Sequence, residues 1–165
     1  MLVLGIDPGT AITGYGLVRE TGGRQVELVD YGVIRTPSGQ PMARRLKQLY
    51  HDLTNVIAQH EPDEAAVEEL FFSRNVTTAL SVGQARGVAI LAAAEAGLPV
   101  YEYKPREIKQ AVVGYGNASK DQVQQMVRVL LGIDEIPRPD DAADAVAVAI
   151  CHIHSTPFPG GSSGS

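Results

Sequence analysis

Tryptophan is absent from this 165-residue chain, and aromatic residues make up only 5% of it. A core built without large rings has to rest on Val, Leu, Ile and Ala, and 44% hydrophobic residues is enough for one ordinary globular domain. The single cysteine, Cys151, excludes an internal disulfide and fits a reducing, cytoplasmic setting. No uninterrupted apolar run reaches the ~18–20 residues that span a bilayer. The opening residues 1–5 lack the basic start and small-residue cleavage site of a secretory signal, so no membrane association is expected. A basic excess is missing too: 14 Lys and Arg stand against 19 Asp and Glu, for a net charge of −5. That balance argues against a general polyanion binder. It does not exclude a nucleic-acid enzyme, because carboxylates that hold metal lower the net charge without repelling DNA once the metal is bound. Locally the sign reverses, with Lys104, Arg106, Lys109 and Lys120 set against the single acid Glu107.

What is present reads as one body over 1–155 followed by a Pro/Gly/Ser-rich tail over 156–165, expected to be mobile and in part an expression scar. Residues 2–6 form a short apolar strand ending at Asp7, where Pro8-Gly9-Thr10 breaks the chain. Strands over 14–20 and 25–35 flank Gly22-Gly23, a hairpin signal. After a loop over 36–41, Leu46, Leu49, Leu53, Val56 and Ile57 recur at helical spacing and predict a helix over 42–60. A strand over 64–69 and a helix over 76–96, closed by Gly97 and Pro99, come next. A strand over 100–103 follows. Ser119 with Gln122 matches a capping box and starts a helix to 131, and a last helix runs from 140 to 154. Three strands with hairpin turns, then alternating helices and strands, predict an α/β fold. Its sheet is mixed, the first three strands antiparallel and the later ones parallel, with helices on both faces.

Four carboxylates stand out. Asp7 ends a buried strand at a turn, and Glu68 ends another. If the two strands are parallel neighbours, both acids project from the carboxyl edge where open α/β sheets place their sites. Alternation turns Glu69 to the other face. Asp141 and Asp144, three apart, share one helical face at ~5–6 Å between Cβ atoms. Complementing the helix dipole explains Asp140 or Asp141 but not Asp144, which lies deeper in an apolar stretch. The surrounding Ala and Val offer Asp144 no cation, so a bound cation is the natural partner. Oxygen ligands without clustered Cys or His favour Mg²⁺ or Mn²⁺, and phosphodiester cleavage can use two such ions.

The run Gly5-Ile6-Asp7-Pro8-Gly9, then Thr13-Gly14-Tyr15-Gly16, resembles the RuvC family of Holliday junction resolvases. So do Val67-Glu68 with Phe71, Gly83-Gln84-Ala85-Arg86-Gly87, Lys109-Gln110-Ala111-Val112-Val113-Gly114 and Asp141-Ala142-Ala143-Asp144-Ala145, in the family's order from residue 1 to about 154. The resemblance implies a ribonuclease-H-like fold with a mixed five-stranded sheet. It implies a metal-dependent endonuclease, a homodimer that binds a four-way DNA junction and nicks two opposed strands in recombination and repair. The same family works with the branch-migration proteins RuvA and RuvB. On this resemblance Asp7, Glu68, Asp141 and Asp144 are the catalytic, metal-binding acids, holding two Mg²⁺ or Mn²⁺ ions. Phe71 is the ring placed against DNA bases, with Phe72 assigned to the core. Lys109 and Lys120 contact phosphate, and Arg74 falls in the DNA-facing loop with Asn75.

Asp7-x-Gly-Thr also resembles the phosphate-binding opening of actin-like ATPases and sugar kinases, but those need a second lobe to close over the nucleotide. A ribonuclease-H-like nuclease acting on RNA or hybrids is a nearer rival to the resolvase reading. A non-catalytic junction-binding dimer is another, and it sits poorly with all four acids being present. Gly83, Ala85, Gly87 and Ala89 form a small-residue helical surface that a second copy could approach closely. His152 and His154, near a helix end, read as cations complementing the dipole. Cys151 reads as a core-facing thiol, and His51 and His60 as surface or capping residues.

Overall fold

A computed structural model describes residues 1–69 and 75–157. The element order is β1 (Leu2–Asp7), β2 (Ile12–Glu20), β3 (Val26–Arg35), α1 (Met42–His60), β4 (Glu64–Glu68), α2 (Val76–Glu95), β5 (Val100–Tyr103), α3 (Pro105–Val113), α4 (Lys120–Leu131) and α5 (Asp140–Ser155). The sheet order is β3-β2-β1-β4-β5. β2 pairs antiparallel with both β1 and β3, whereas β4 runs parallel to β1 and to β5. The expected α/β class and mixed five-stranded sheet are both observed.

β1 is central and apolar on both sides because helices cover both faces of the sheet. Its alternation divides the core. Val3 packs with the α5 cluster, together with Ala66 of β4, Val146 and Ile150. Leu2, Leu4 and Ile6 pack with Leu49, Leu53 and Ile57 of α1 and with Ala85, Ala89, Ala92 and Ala93 of α2. By the same period of two, Gly5 and Asp7 belong to the α5 face.

Glycines set how close α5 comes to that face. Gly5 of β1 pairs with Gly16 of β2, and Asp7 pairs with Gly14. A Cβ on Gly5 would lie 2.0 Å from the Ala145 carbonyl oxygen, and one on Gly14 only 1.9 Å from that of Asp141. On Gly16 it would meet the Val146 side chain at 2.5 Å. No side chain fits on the sheet at these points, and at Gly5 and Gly14 the two backbones touch. Ala142, Ala145 and Ala149 complete the fit from the helix side, all fully buried.

The helix α3 over Pro105–Val113 is a departure from the sequence reading, in which this segment is only a basic stretch. Its signal is local: Pro105 at the first helical position, and Glu107, whose Oε1 accepts the Lys104 N–H at 3.0 Å. The capping box at Ser119 is observed, with Ser119 Oγ accepting from Gln122 N and Gln122 Oε1 accepting from Ser119 N. Among the described residues α2 is long and apolar enough, by length and composition, to cross a membrane. It does not stand out as an uninterrupted apolar run because Gln84 and Arg86 break the pattern. In this fold Ala85, Ala89, Ala92 and Ala93 are buried against the core and Arg86 pairs with Glu102.

Thr156, assigned to the mobile tail, is held in place: Arg24 Nη2 donates to its carbonyl at 2.6 Å. The rest of the tail, 158–165, lies outside the described residues.

Candidate active site

The strand register places the first two acids. Ile6 is the parallel partner of Val67, so the next residues, Asp7 and Glu68, end adjacent strands side by side. Both lie on the α5 face by alternation, as Gly5 and Ala66 do. The turn after Asp7 is closed by Thr13, whose hydroxyl donates to Gly9 O at 2.6 Å and accepts from Gly9 N at 3.2 Å. The contact between Gly14 and the Asp141 carbonyl brings the first turn of α5 over this strand edge. Asp141 and Asp144 arrive with it.

Electrostatics show how crowded the four acids are. Burial, then repulsion from Glu68, Asp144 and Asp141, pushes the Asp7 carboxyl up to about 8. Burial, then Asp144, raises Glu68 to about 7, although Lys109 and Lys120 pull the other way. Burial raises Asp144 as well, opposed by Lys120. Carboxylates forced to keep their protons near neutrality mark a place where buried negative charge outweighs the cations around it.

One expectation is corrected here. Asp144 does have a cation within reach: Lys120, at the start of α4, has its Nζ 3.6 Å from Asp144 Oδ2 and 3.3 Å from Asp140 Oδ2. Lys120 is invisible to an inspection of α5 alone because it arrives on a different helix. Burial lowers the Lys120 pKa, but Asp144 and Asp140 outweigh it and leave the ammonium strongly charged. Asp140 itself is exposed, and hydrogen bonds from Gln124 and Lys120 hold its carboxyl below the usual range. It is a surface partner of Lys120 more than a member of the buried set.

Oxygen donors of this kind suit a hard divalent cation. Among the described residues no three His, Cys, Asp or Glu side chains converge closely enough to cage an ion as they stand. The donor chemistry fits a hard divalent cation, whose charge would offset the mutual repulsion of the carboxylates. Two clefts open on the acids. One, about 260 Å³, is lined by Glu68 and Asp144 together with Lys109, Lys120 and Ile108. The other, about 640 Å³, reaches Asp141 from the far side, between the β1–β2 turn, α1 and α2.

Six of the eight residues singled out from the sequence thus meet at one edge: Asp7, Glu68, Asp141, Asp144, Lys109 and Lys120. Phe71 and Arg74, with Phe72, lie outside the described residues. Arg45, in the larger cleft, is a residue the sequence does not point to, since nothing in its neighbourhood marks it out. His152 departs from its expected role. It is fully buried, not a dipole-complementing surface cation. Its Nε2 meets Glu64 Oε2 and its Nδ1 lies 2.6 Å from Tyr103 Oη, with Tyr101 packed 4.5 Å away between ring centroids. That chain ties α5 to β4 and β5, the strand that pairs with Glu68. Cys151 is core-facing as expected, and burial pushes its thiol up to about 11. His60 binds Asp30 Oδ2 of β3 at 2.9 Å, fastening the end of α1 to the sheet.

Comparison with known proteins is consistent with this geometry. The family model described as crossover junction endodeoxyribonuclease RuvC matches residues 3–152. The chain is 63% identical over 155 residues to the crossover junction endodeoxyribonuclease RuvC of Desulfitobacterium hafniense, covering 94% of this chain and 93% of that protein. It is 60% identical to the RuvC of Chloroflexus aggregans, covering 95% of each. Among solved structures, Thermus thermophilus RuvC in complex with a Holliday junction substrate superposes with a TM-score of 0.88 at 41% identity, covering 92% of each chain. The yeast mitochondrial resolvase Ydc2, at 16% identity and a TM-score of 0.64, shares the fold. The chain belongs to the RuvC family of crossover junction endodeoxyribonucleases.

Proposed function

We propose that this protein resolves four-way DNA junctions by nicking two opposed strands. The observation that carries the reading is the gathering of Asp7, Glu68 and Asp144 at one strand edge, where burial raises all three carboxyls and holds protons on Asp7 and Glu68 near neutrality. Family membership and a relative's complex with a Holliday junction substrate supply the DNA class.

In this reading Asp7, Glu68, Asp141 and Asp144 hold two Mg²⁺ or Mn²⁺ ions. When bound, such ions activate water for attack on phosphorus and neutralise charge on the leaving oxygen. Asp7 and Glu68 have to surrender their protons for this, so metal binding strengthens as pH rises. Lys109 and Lys120 line the smaller cleft beside Glu68 and Asp144 and neutralise phosphate there. Lys120 also lessens repulsion around Asp144 before metal arrives. Attack of water on phosphorus with cleavage of the P–O3′ bond, the leaving oxygen taking up a proton, gives a 5′-phosphate and a 3′-hydroxyl. Phe71 stacking at the crossover and an Arg74 contact rest on the family resemblance.

Two equivalent strands require two sites, and a symmetric homodimer supplies them. The surface for it is not the one expected. Ala85 and Ala89 point into the core, so the small-residue patch around Gly83, Ala85, Gly87 and Ala89 is not a single outward face. The outward face of α2 instead carries Val76 (69% exposed), Leu80 (65%) and Leu91 (51%), with Gly87 between them open to solvent. Val76, Leu80, Gly87 and Leu91 follow one another at spacings of four, seven and four residues, which keeps them along one side of the helix as in a helix–helix seam. RuvA and RuvB remain the partners implied by the family.

The test is a cleavage assay on a labelled four-way junction, a linear duplex and an RNA–DNA hybrid, each with Mg²⁺, Mn²⁺ or chelator. Metal-dependent paired nicks on the junction alone are expected. Preferential cutting of the hybrid would overturn the substrate assignment.

A further inference from the structure

We propose that the larger cleft, on the Asp141 side of the acids, seats the phosphodiester backbone of the bound strand with Arg45 as its phosphate contact. This rests on the reading of the protein as a DNA junction nuclease.

The cleft, of about 640 Å³, is walled by Thr10 of the β1–β2 turn, Ser38, Arg45 of α1, and Thr77, Thr78 and Ser81 of α2. Asp141 is the only acid in the lining among the described residues. Ala11, Ile12 and Val82 supply apolar wall, and the polar side chains beside them, Asp141 apart, are hydroxyls and one guanidinium, which suit an anionic, oxygen-rich ligand. Among the described residues no aromatic lines the cleft, so they offer no platform for a base. A sugar–phosphate backbone is the part of DNA that fits this chemistry.

Arg45 is held ready. Its Nε donates to Thr36 Oγ1 at 3.0 Å, and the Thr36 hydroxyl donates to Thr10 O at 2.6 Å. Thr36 and Thr10 are both 7% exposed, so this chain is sheltered and fixes the guanidinium relative to the turn that follows Asp7. The two terminal nitrogens of Arg45 make no hydrogen bond or ion pair with the described residues. A guanidinium oriented through one nitrogen with two left over can bind a phosphate through the other two.

The two clefts flank the acids. Glu68 and Asp144 open on the cleft with Lys109 and Lys120, and Asp141 opens on this one. A strand with its reacting phosphate over Asp7 therefore runs out on both sides. The lysines take phosphates on one flank and Arg45 takes one on the other.

The experiment is anisotropy of a labelled four-way junction in chelator across a salt series, for wild type, Arg45→Gln, Arg45→Lys and Ser38→Glu. Arg45→Gln is expected to weaken binding several-fold and make the salt slope shallower by about one. Arg45→Lys should keep most of the slope. Ser38→Glu puts a negative charge on the exposed rim, away from the Thr36 contact, and should weaken binding with an unchanged melting temperature. An unchanged slope in Arg45→Gln overturns the proposal. So does a loss in Arg45→Gln with none in Ser38→Glu, which traces the effect to the broken Thr36 bond. If wild type does not distinguish junction from duplex, the functional reading fails instead, and the Arg45 slope can still be read on duplex.

Discussion

Two helices of this molecule, α5 and α2, are both rich in alanine and valine, yet only α5 carries the acids and only α2 shows an apolar face to solvent. The difference lies in what each meets. α5 rests on Gly5 and Gly14 backbone to backbone and on Gly16 through Val146, and nearly every residue from Ala142 onward is buried. α2 buries Ala85, Ala89, Ala92 and Ala93 on one side, while its own Gly87 looks into open space. Small residues at a strand draw a helix onto the sheet. The same residues on the far side of a helix leave a surface for something else. Composition does not separate the two cases; the facing element does.

The sharpest break in the comparison is chemical. Asp7→Asn or Asp144→Asn should abolish metal-dependent cleavage while junction binding persists, since the change removes charge from the acids and not from Lys109, Lys120 or Arg45. Near-normal cleavage by Asp7→Asn in a gel assay would defeat the site assignment.

The next effect is steric. Gly5→Ala drives a methyl toward the Ala145 carbonyl, and backbone cannot yield as a flexible side chain does. Destabilisation at or beyond the upper end of the ~1–3 kcal/mol usual for overpacking is expected in urea unfolding. Gly87→Leu has no such obstacle within the chain. It should leave the fold intact and shift a dimer toward monomer in sedimentation. A wild type that sediments as monomer at tens of micromolar, with or without junction DNA, would remove the dimer.

A third difference is in pH response. Asp7 keeps its proton up to about pH 8 in the fold, against 3.8 for an ordinary Asp, and Glu68 to about 7 against 4.5. Between those limits the folded chain binds more protons than the unfolded one, so metal-free stability falls as pH rises from about 4 to about 8. Mg²⁺ or Mn²⁺ displaces those protons, and its stabilisation should therefore grow over the same range. Melting curves in chelator and in millimolar metal would show both trends, and Asp7→Asn should flatten the first. A chelated melting temperature that does not change between about pH 5 and 9 would contradict the crowding of the acids. The smallest effect belongs to Gly87→Ala, which should stabilise the isolated protomer by up to ~1 kcal/mol, opposite in sign to Gly5→Ala.

What was legible in the sequence was what is local or periodic. The leucine spacing predicted α1 over 42–60 and the Ser119–Gln122 pair predicted the start of α4, and both stand. Asp7 and Glu68 were legible because each ends an apolar strand, and the parallel β1–β4 pairing turned that into proximity. The failures are contacts made across the chain. Lys120 reaches Asp144 from another helix, and His152 is bonded to Glu64, 88 residues earlier, and to Tyr103. Arg45 owes its place to Thr36 and Thr10, in two separate loops. A local rule assigned His152 to the helix dipole because nothing near it in sequence suggested a buried partner.

The glycine contacts beneath α5 also govern how this chain can drift. At Gly5 and Gly14 the gap between helix and sheet is set by carbonyl oxygens, atoms that every residue possesses. Exchange of one aliphatic side chain for another in the surrounding core alters volume and packing energy without moving this ruler. Variation can therefore accumulate in the two apolar clusters while the acids keep their spacing. The tolerance ends at Gly5, Gly14 and Gly16, where any added carbon lengthens the ruler itself.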